Sequence, residues 1–155
     1  MTDVMSAEKR SALMSRIKGK NSSPELLVRR LLWRAGFRFR LHARELPGRP
    51  DIVLPRWQVA VFVHGCFWHL HKDCRYSQLP ATRHDFWKNK LEANRERDLR
   101  KTSALLASGW RVAVVWECAV RADATTSVQL LEEWIRAGGT TLEVRAGQAG
   151  LSTHP

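Results

Sequence analysis

Between Val61 and Cys74 the chain reads V-F-V-H-G-C-F-W-H-L-H-K-D-C, which brings two cysteines and three histidines into one short stretch. Cys66, His69, His71 and Cys74 are soft or borderline ligands at the spacing of half a structural zinc site, and Cys118, the only other cysteine, could complete a tetrahedron. Five donors then compete for four places. The histidine left over, with His64 just upstream, is free for acid–base work. The stretch reads as a structural metal site fused to the edge of an active site.

A second kind of metal chemistry is suggested by Asp51, which follows Pro50 at the start of an expected strand. An aspartate at a strand edge supplies the hard oxygen that Mg²⁺ prefers, with water and a substrate phosphate filling the other positions. In isolation, Asp after Pro is equally a turn residue. What marks this one is its company. The next strand ends in His64 and leads to His69, and a later helix carries Asn94-Arg95-Glu96-Arg97-Asp98. On periodicity alone, those helix charges would be a solvated face.

The elements that must position these groups follow from local pattern. Ser22-Ser23-Pro24-Glu25 has the form of a helix start, and the helix is expected from about Pro24 to Ala35, with Leu26, Leu27 and Leu31 on its core face and Gly36 as the stop. Phe37 to His42 alternates strictly and predicts a strand. Asp51–Leu54 and Trp57–His64 predict two more, which makes a meander. Thr82 with Asp85 resembles a capping pair that opens a long helix to about Ala107. Arg111–Trp116 is a continuous apolar run, as a buried strand should be, and the last helix is expected over about Thr126–Ala137. The remaining residues give no pattern. The organisation expected is a basic arm over 1–20, one α/β domain over 21–139 and a tail over 140–155.

Composition points to a polyanionic partner. The 155 residues carry 26 Lys and Arg against 15 Asp and Glu, a formal charge of +11 and a pI near 10.6. Nucleic acid is the simplest partner for such a balance. One domain of this size buries a real core, so zinc need not carry the whole fold. No run is apolar enough to span a bilayer, and Met1-Thr2-Asp3 lacks the apolar region of a signal peptide, so a cytoplasmic, nucleoid-associated protein is expected and no membrane partner. An odd number of cysteines suits metal-bound thiolates better than disulfides.

Taken together, L-P-G-R-P-D, V-F-V-H-G-C-F-W-H, P-A-T-R, F-W, E-R-D, L-L-A-S-G-W-R-V and V-W-E-C, in order from 46 to 118, closely resemble the very short patch repair endonucleases. The resemblance implies an α/β, restriction-endonuclease-like fold, a mixed central sheet flanked by helices, with a structural zinc site. It implies a Mg²⁺-dependent enzyme that recognises T:G mismatches left by deamination of 5-methylcytosine and nicks 5′ to the thymine. By the same resemblance Asp51 matches the magnesium ligand, His69 the group that activates water, His64 a second catalytic histidine, Asp98 the acid that orients His69, and Glu25 a helix glutamate near the metal. If His69 is the base, the zinc set is Cys66, His71, Cys74 and Cys118. Where some relatives have threonine this chain has Val63, so only its backbone carbonyl can serve magnesium there. Phe67, Trp68 and Trp87 match an aromatic wedge that enters the duplex beside the mismatch. Because a mismatch lacks two-fold symmetry, a monomer is expected. The rival readings are a non-catalytic, zinc-stabilised DNA-binding module and a hydrolase in which zinc itself is catalytic.

Overall fold

The structure, a computed structural model, describes residues 22–146. Its five strands are β1 (Arg40–Leu41), β2 (Ile52–Leu54), β3 (Val59–His64), β4 (Arg111–Trp116) and β5 (Thr141–Val144), which lie side by side in that order. β1, β2 and β3 run antiparallel to one another as a meander, whereas β3, β4 and β5 are parallel. The sheet is therefore mixed, as expected. Among the described residues three α-helices flank it, α1 (Ser23–Arg34), α2 (His84–Ala107) and α3 (Glu117–Ala137).

Strand periodicity sorts the two faces. Val59, Val61 and Val63 of β3 point to one side, where Ala113 and Val115 of β4 join Val28 and Leu32 of α1 and Val128, Leu131 and Ile135 of α3 in the main core. Each of the Val, Leu and Ile side chains removed from water contributes roughly 1.5–3 kcal/mol. Ala60 and Phe62 point to the other side and meet Leu105 near the end of α2. His64 continues that second parity, so the strand delivers its imidazole to the face that α2 covers.

α1 opens on the expected cap. The Ser22 hydroxyl accepts from the Glu25 amide, with proline in the first turn. Its core line differs from the one expected, because Val28 and Leu32 are fully buried while Leu26 is exposed. The strand expected over 37–42 shrinks to β1, because His42 takes a left-handed conformation (φ 49°) that turns the chain out of the ladder. At α2 the cap is not Thr82. Arg83, itself left-handed (φ 54°), leads directly into the helix without a side-chain cap.

α3 begins at Glu117, earlier than expected, and breaks at Asp123 (φ −164°, ψ 94°). The Asp123 carboxylate accepts from the Thr126 amide and hydroxyl, so the break is the N-cap of the stretch that was expected from about Thr126. The boundary at 139 is also corrected. Thr141–Val144 is a strand paired with β4 and belongs to the domain. The expected arm over 1–20 lies outside the described residues, as does the end of the chain from 147. Among the described residues no helix is long and apolar enough to cross a membrane.

Candidate active site

Three neighbouring clusters of donors lie about the carboxyl ends of β3 and β4. In the first, one ligand atom from each of Cys66, His71, Cys74 and Cys118 lies within 4.8 Å of all the others. Cys66 and His71 come from the loop after β3, and Cys118 from the first turn of α3, so the cluster ties two chain segments that follow adjacent parallel strands. The Cys118 amide donates to Cys66 Sγ (3.3 Å), and Cys118 Sγ is 3.5 Å from His71 Nδ1. A tetrahedral zinc with Zn–S of about 2.3 Å and Zn–N of about 2.0 Å separates sulfur from nitrogen by roughly 3.5 Å, so spacing and donor type both fit. The two buried thiols polarise each other. The hydrogen bond from Cys66 pulls the Cys118 thiol well below the usual thiol range, and Cys66 is pushed up in return. The His71 ring lies flat on Trp116, 3.9 Å between centroids, which fixes its orientation.

In the second cluster are His64, His69 and Asp98. His69 Nδ1 is 2.6 Å from Asp98 Oδ2, a short charge-assisted bond that ties the loop to α2. One helical turn earlier, Asn94 donates from Nδ2 to the Trp68 carbonyl (3.1 Å), so the same face of α2 grips the loop twice. The His64 ring stacks under His69, 3.8 Å away and 2° from parallel. His64 is buried, and burial above all, with His69, Lys101 and His71 adding to it, pushes its imidazole well below the usual histidine range. It is therefore neutral at pH 7. His69 is the more accessible ring of the two, with 28% of its side chain exposed.

The third cluster joins Glu25, His42 and Asp51. Asp51 Oδ2 accepts from the Val63 amide at 2.8 Å, just beyond the last β2–β3 pair, so the carboxylate replaces a missing ladder partner. Burial pushes its carboxyl up to about 6, although the Val63 amide and the charges of His42, His69 and Arg29 pull the other way. A buried carboxylate held in that way suits a hard divalent cation, which would relieve the cost of its charge. Glu25 is buried and ion-paired with Arg29, and His42 Nε2 lies 2.9 Å from Arg29 and 3.5 Å from Glu25 Oε2. Sequence pattern did not single out His42 or Arg29. His42 looked like one of three basic residues on a regular strand, and only its left-handed backbone turns it toward Asp51, whose carbonyl accepts its amide at 3.1 Å.

Phe67, Trp68 and Trp87 form a ring cluster with centroids 5.3, 5.5 and 6.1 Å apart. All three are half-buried against one another and stand apart from the cores, whereas Trp116 and Trp134 are buried as their periodicity requires. Phe86 extends the cluster, 5.3 Å from Trp87 and exposed. The structure thus brings the candidate site residues of the sequence to one end of the sheet.

The chain is similar to known proteins. The family model described as DNA mismatch endonuclease Vsr matches residues 2–76. The chain is 58% identical over 118 residues to the Type II nicking enzyme V.XorIIP of Xanthomonas oryzae pv. oryzae, covering 76% of this chain and 86% of that protein. It is 40% identical over 148 residues to DNA mismatch endonuclease Vsr of Escherichia coli, covering 93% and 94%. Among solved structures, the catalytic domain of homing endonuclease I-Bth0305I aligns with a TM-score of 0.49 at 18% identity, over 75% of this chain and 97% of that one.

Proposed function

The chain belongs to the Vsr family of DNA mismatch endonucleases, enzymes that hydrolyse DNA phosphodiester bonds, and from that premise we propose that it nicks duplex DNA 5′ to the thymine of a T:G mismatch in a Mg²⁺-dependent reaction. The observation that carries the mechanism is the 2.6 Å approach of His69 to Asp98 beside the buried carboxylate of Asp51. A proton on Nδ1, held by Asp98, leaves a lone pair on His69 Nε2, and that nitrogen takes the proton of the attacking water. Asp98 then stabilises the imidazolium that forms. The neutral ring of His64 beneath it adds no competing positive charge.

Asp51 would hold the magnesium. The amide and carbonyl of one strand residue project to the same side, and the Val63 amide already faces Asp51, which supports the Val63 carbonyl as a second ligand. Bound there, the ion would stabilise charge developing on the phosphate oxygens. Glu25 holds Arg29 and His42 around that carboxylate. Cys66, His71, Cys74 and Cys118 would hold zinc as a closed structural site, leaving no position for water, which separates this reading from that of a zinc hydrolase.

Recognition falls to Phe67, Trp68 and Trp87. Opening a base step costs roughly a few kcal/mol and least where pairing is already faulty, so a wedge of these rings favours mismatched sites. The test is incubation of end-labelled matched and T:G duplexes with Mg²⁺, read on a denaturing gel. A single cut on the thymine strand of the T:G duplex is expected. Equal cutting of the matched duplex would remove the mismatch reading, and binding without any cutting would leave a DNA-binding module.

A further inference from the structure

At the end of the sheet opposite to all this chemistry, the chain builds a second basic feature. β3 and β4 begin there, α1 and α3 end there, and between them lies a recess of about 350 Å³ whose rim carries Arg38, Arg56 and Arg136. Each guanidinium is laid over an aromatic ring. Arg38 stands 3.6 Å above the Trp33 centroid, Arg56 is 5.6 Å from that of Trp57, and Arg136 is 4.8 Å from that of Phe37. Phe37 and Trp57 are themselves in contact, at 6.0 Å between centroids, so the rings under Arg136 and Arg56 form one platform. Arg38 is held further by bonds from Nη1 to the carbonyls of Phe37 and Trp33. Among the described residues, the acid ion-paired with these three cations is Glu132, at 3.9 Å from Arg136.

We propose that this recess is a second DNA-phosphate site, which takes the backbone of a DNA segment other than the one being nicked. Arginines stacked on rings are pre-oriented and weakly hydrated, and their planar forks match phosphate oxygens. Phe37 is buried beneath Arg136, and the three guanidinium groups on the rim are exposed, so what the recess offers a partner is mainly charge and donors. That favours a phosphodiester over the apolar anchor of a protein segment. The six residues of β3 place the recess about 20 Å from His64, and it opens at the other end of the strands. The recess takes a segment separate from the duplex seated at the active site. One molecule would then hold two duplex segments at once, a basis for passing between DNA segments during a search.

The test uses the full chain. Enzyme is bound, without Mg²⁺, to a short immobilised T:G duplex and then offered a labelled matched duplex. Wild type is expected to capture the second duplex, and the triple variant Arg38→Gln, Arg56→Gln, Arg136→Gln to capture it at least about tenfold less. The salt slope of the variant should be shallower by up to about 3, because each phosphate left unneutralised removes roughly 0.9. Nicking of the short T:G duplex should be unchanged. If the triple variant melts early, Arg56→Glu, at an exposed position on a short helical turn, replaces it with the same expected loss. Equal capture by wild type and variant would overturn the proposal. So would a titration with inorganic phosphate that shifts the arginine side-chain NMR signals while no second duplex is captured, since the site would then be one for small anions. Because capture is read with matched DNA, its loss is distinguishable from failure of the mismatch reading.

Discussion

Asp51 stands where ionisation is expensive, and this makes it testable apart from catalysis. Its carboxyl is pushed up to about 6 in the folded protein, against about 3.9 in an unfolded chain. Between those values the folded state binds the extra proton, so this group's contribution to stability falls as pH rises from about 4 to about 6. Two units correspond to roughly 3 kcal/mol. Asp51→Asn still accepts from the Val63 amide, and without added Mg²⁺ it should be more stable than wild type by up to about 3 kcal/mol above pH 6 and by little below pH 4. Urea titrations at both pH values check this, and equal stability at pH 7.5 would show that the carboxylate is solvated. The same variant should lose nicking. Asp98→Asn and His69→Ala separate the other roles: the first should lower kcat by about 10²–10⁴, the second should abolish nicking, and both should keep zinc and the preference for T:G DNA. Zinc released by His69→Ala would exchange the roles of His69 and His71.

Elements that bury a regular pattern were legible in the sequence, and elements fixed by single backbone turns were not. β3 and β4 showed themselves as apolar runs, and α2 as the span between a loop and Ser108-Gly109. β5 was missed because Thr141–Val144 follows the Gly138-Gly139 stop and is too short to stand out before its pairing with β4 is known. The zinc set and the His69–Asp98 pair depended on family resemblance, since spacing alone left five donors for four places. The packing of the end of α3 against the start of β4 had no sequence signal either. Arg111, at the start of β4, donates to the carbonyls of Gly139, Trp134, Ile135 and Trp57, and so clamps the end of α3 to the sheet. Arg111→Ala should therefore cost about 2–4 kcal/mol in urea unfolding, with the kcat of the folded enzyme unchanged. At the other end of the same strand, Cys118→Ser should lower melting temperature and zinc content together. An unchanged zinc stoichiometry would take Cys118 out of the site.

The whole molecule carries +11 charges, and the two ends of its sheet do not share them for one purpose. The chemistry end gathers carboxylates, thiols and imidazoles, and the opposite end gathers the three stacked arginines. Residues 1–20 add a net +3, from Lys9, Arg10, Arg16, Lys18 and Lys20 against Asp3 and Glu8. If that segment closes on the phosphate backbone at the nicking face, deleting it should weaken duplex binding and flatten its dependence on salt by up to about 4 in slope, at roughly 0.9 for each phosphate that the arm would neutralise. The deletion and the arginine-recess variants act on different parts of the chain, so their effects on the slope should add when combined. Filter binding of a long matched duplex over a range of KCl concentrations reads both. A slope identical to that of the full chain would mean that residues 1–20 touch no phosphate. A combined effect no larger than that of the deletion alone would place the arm and the recess on one DNA segment, and the two-segment arrangement would fall with it.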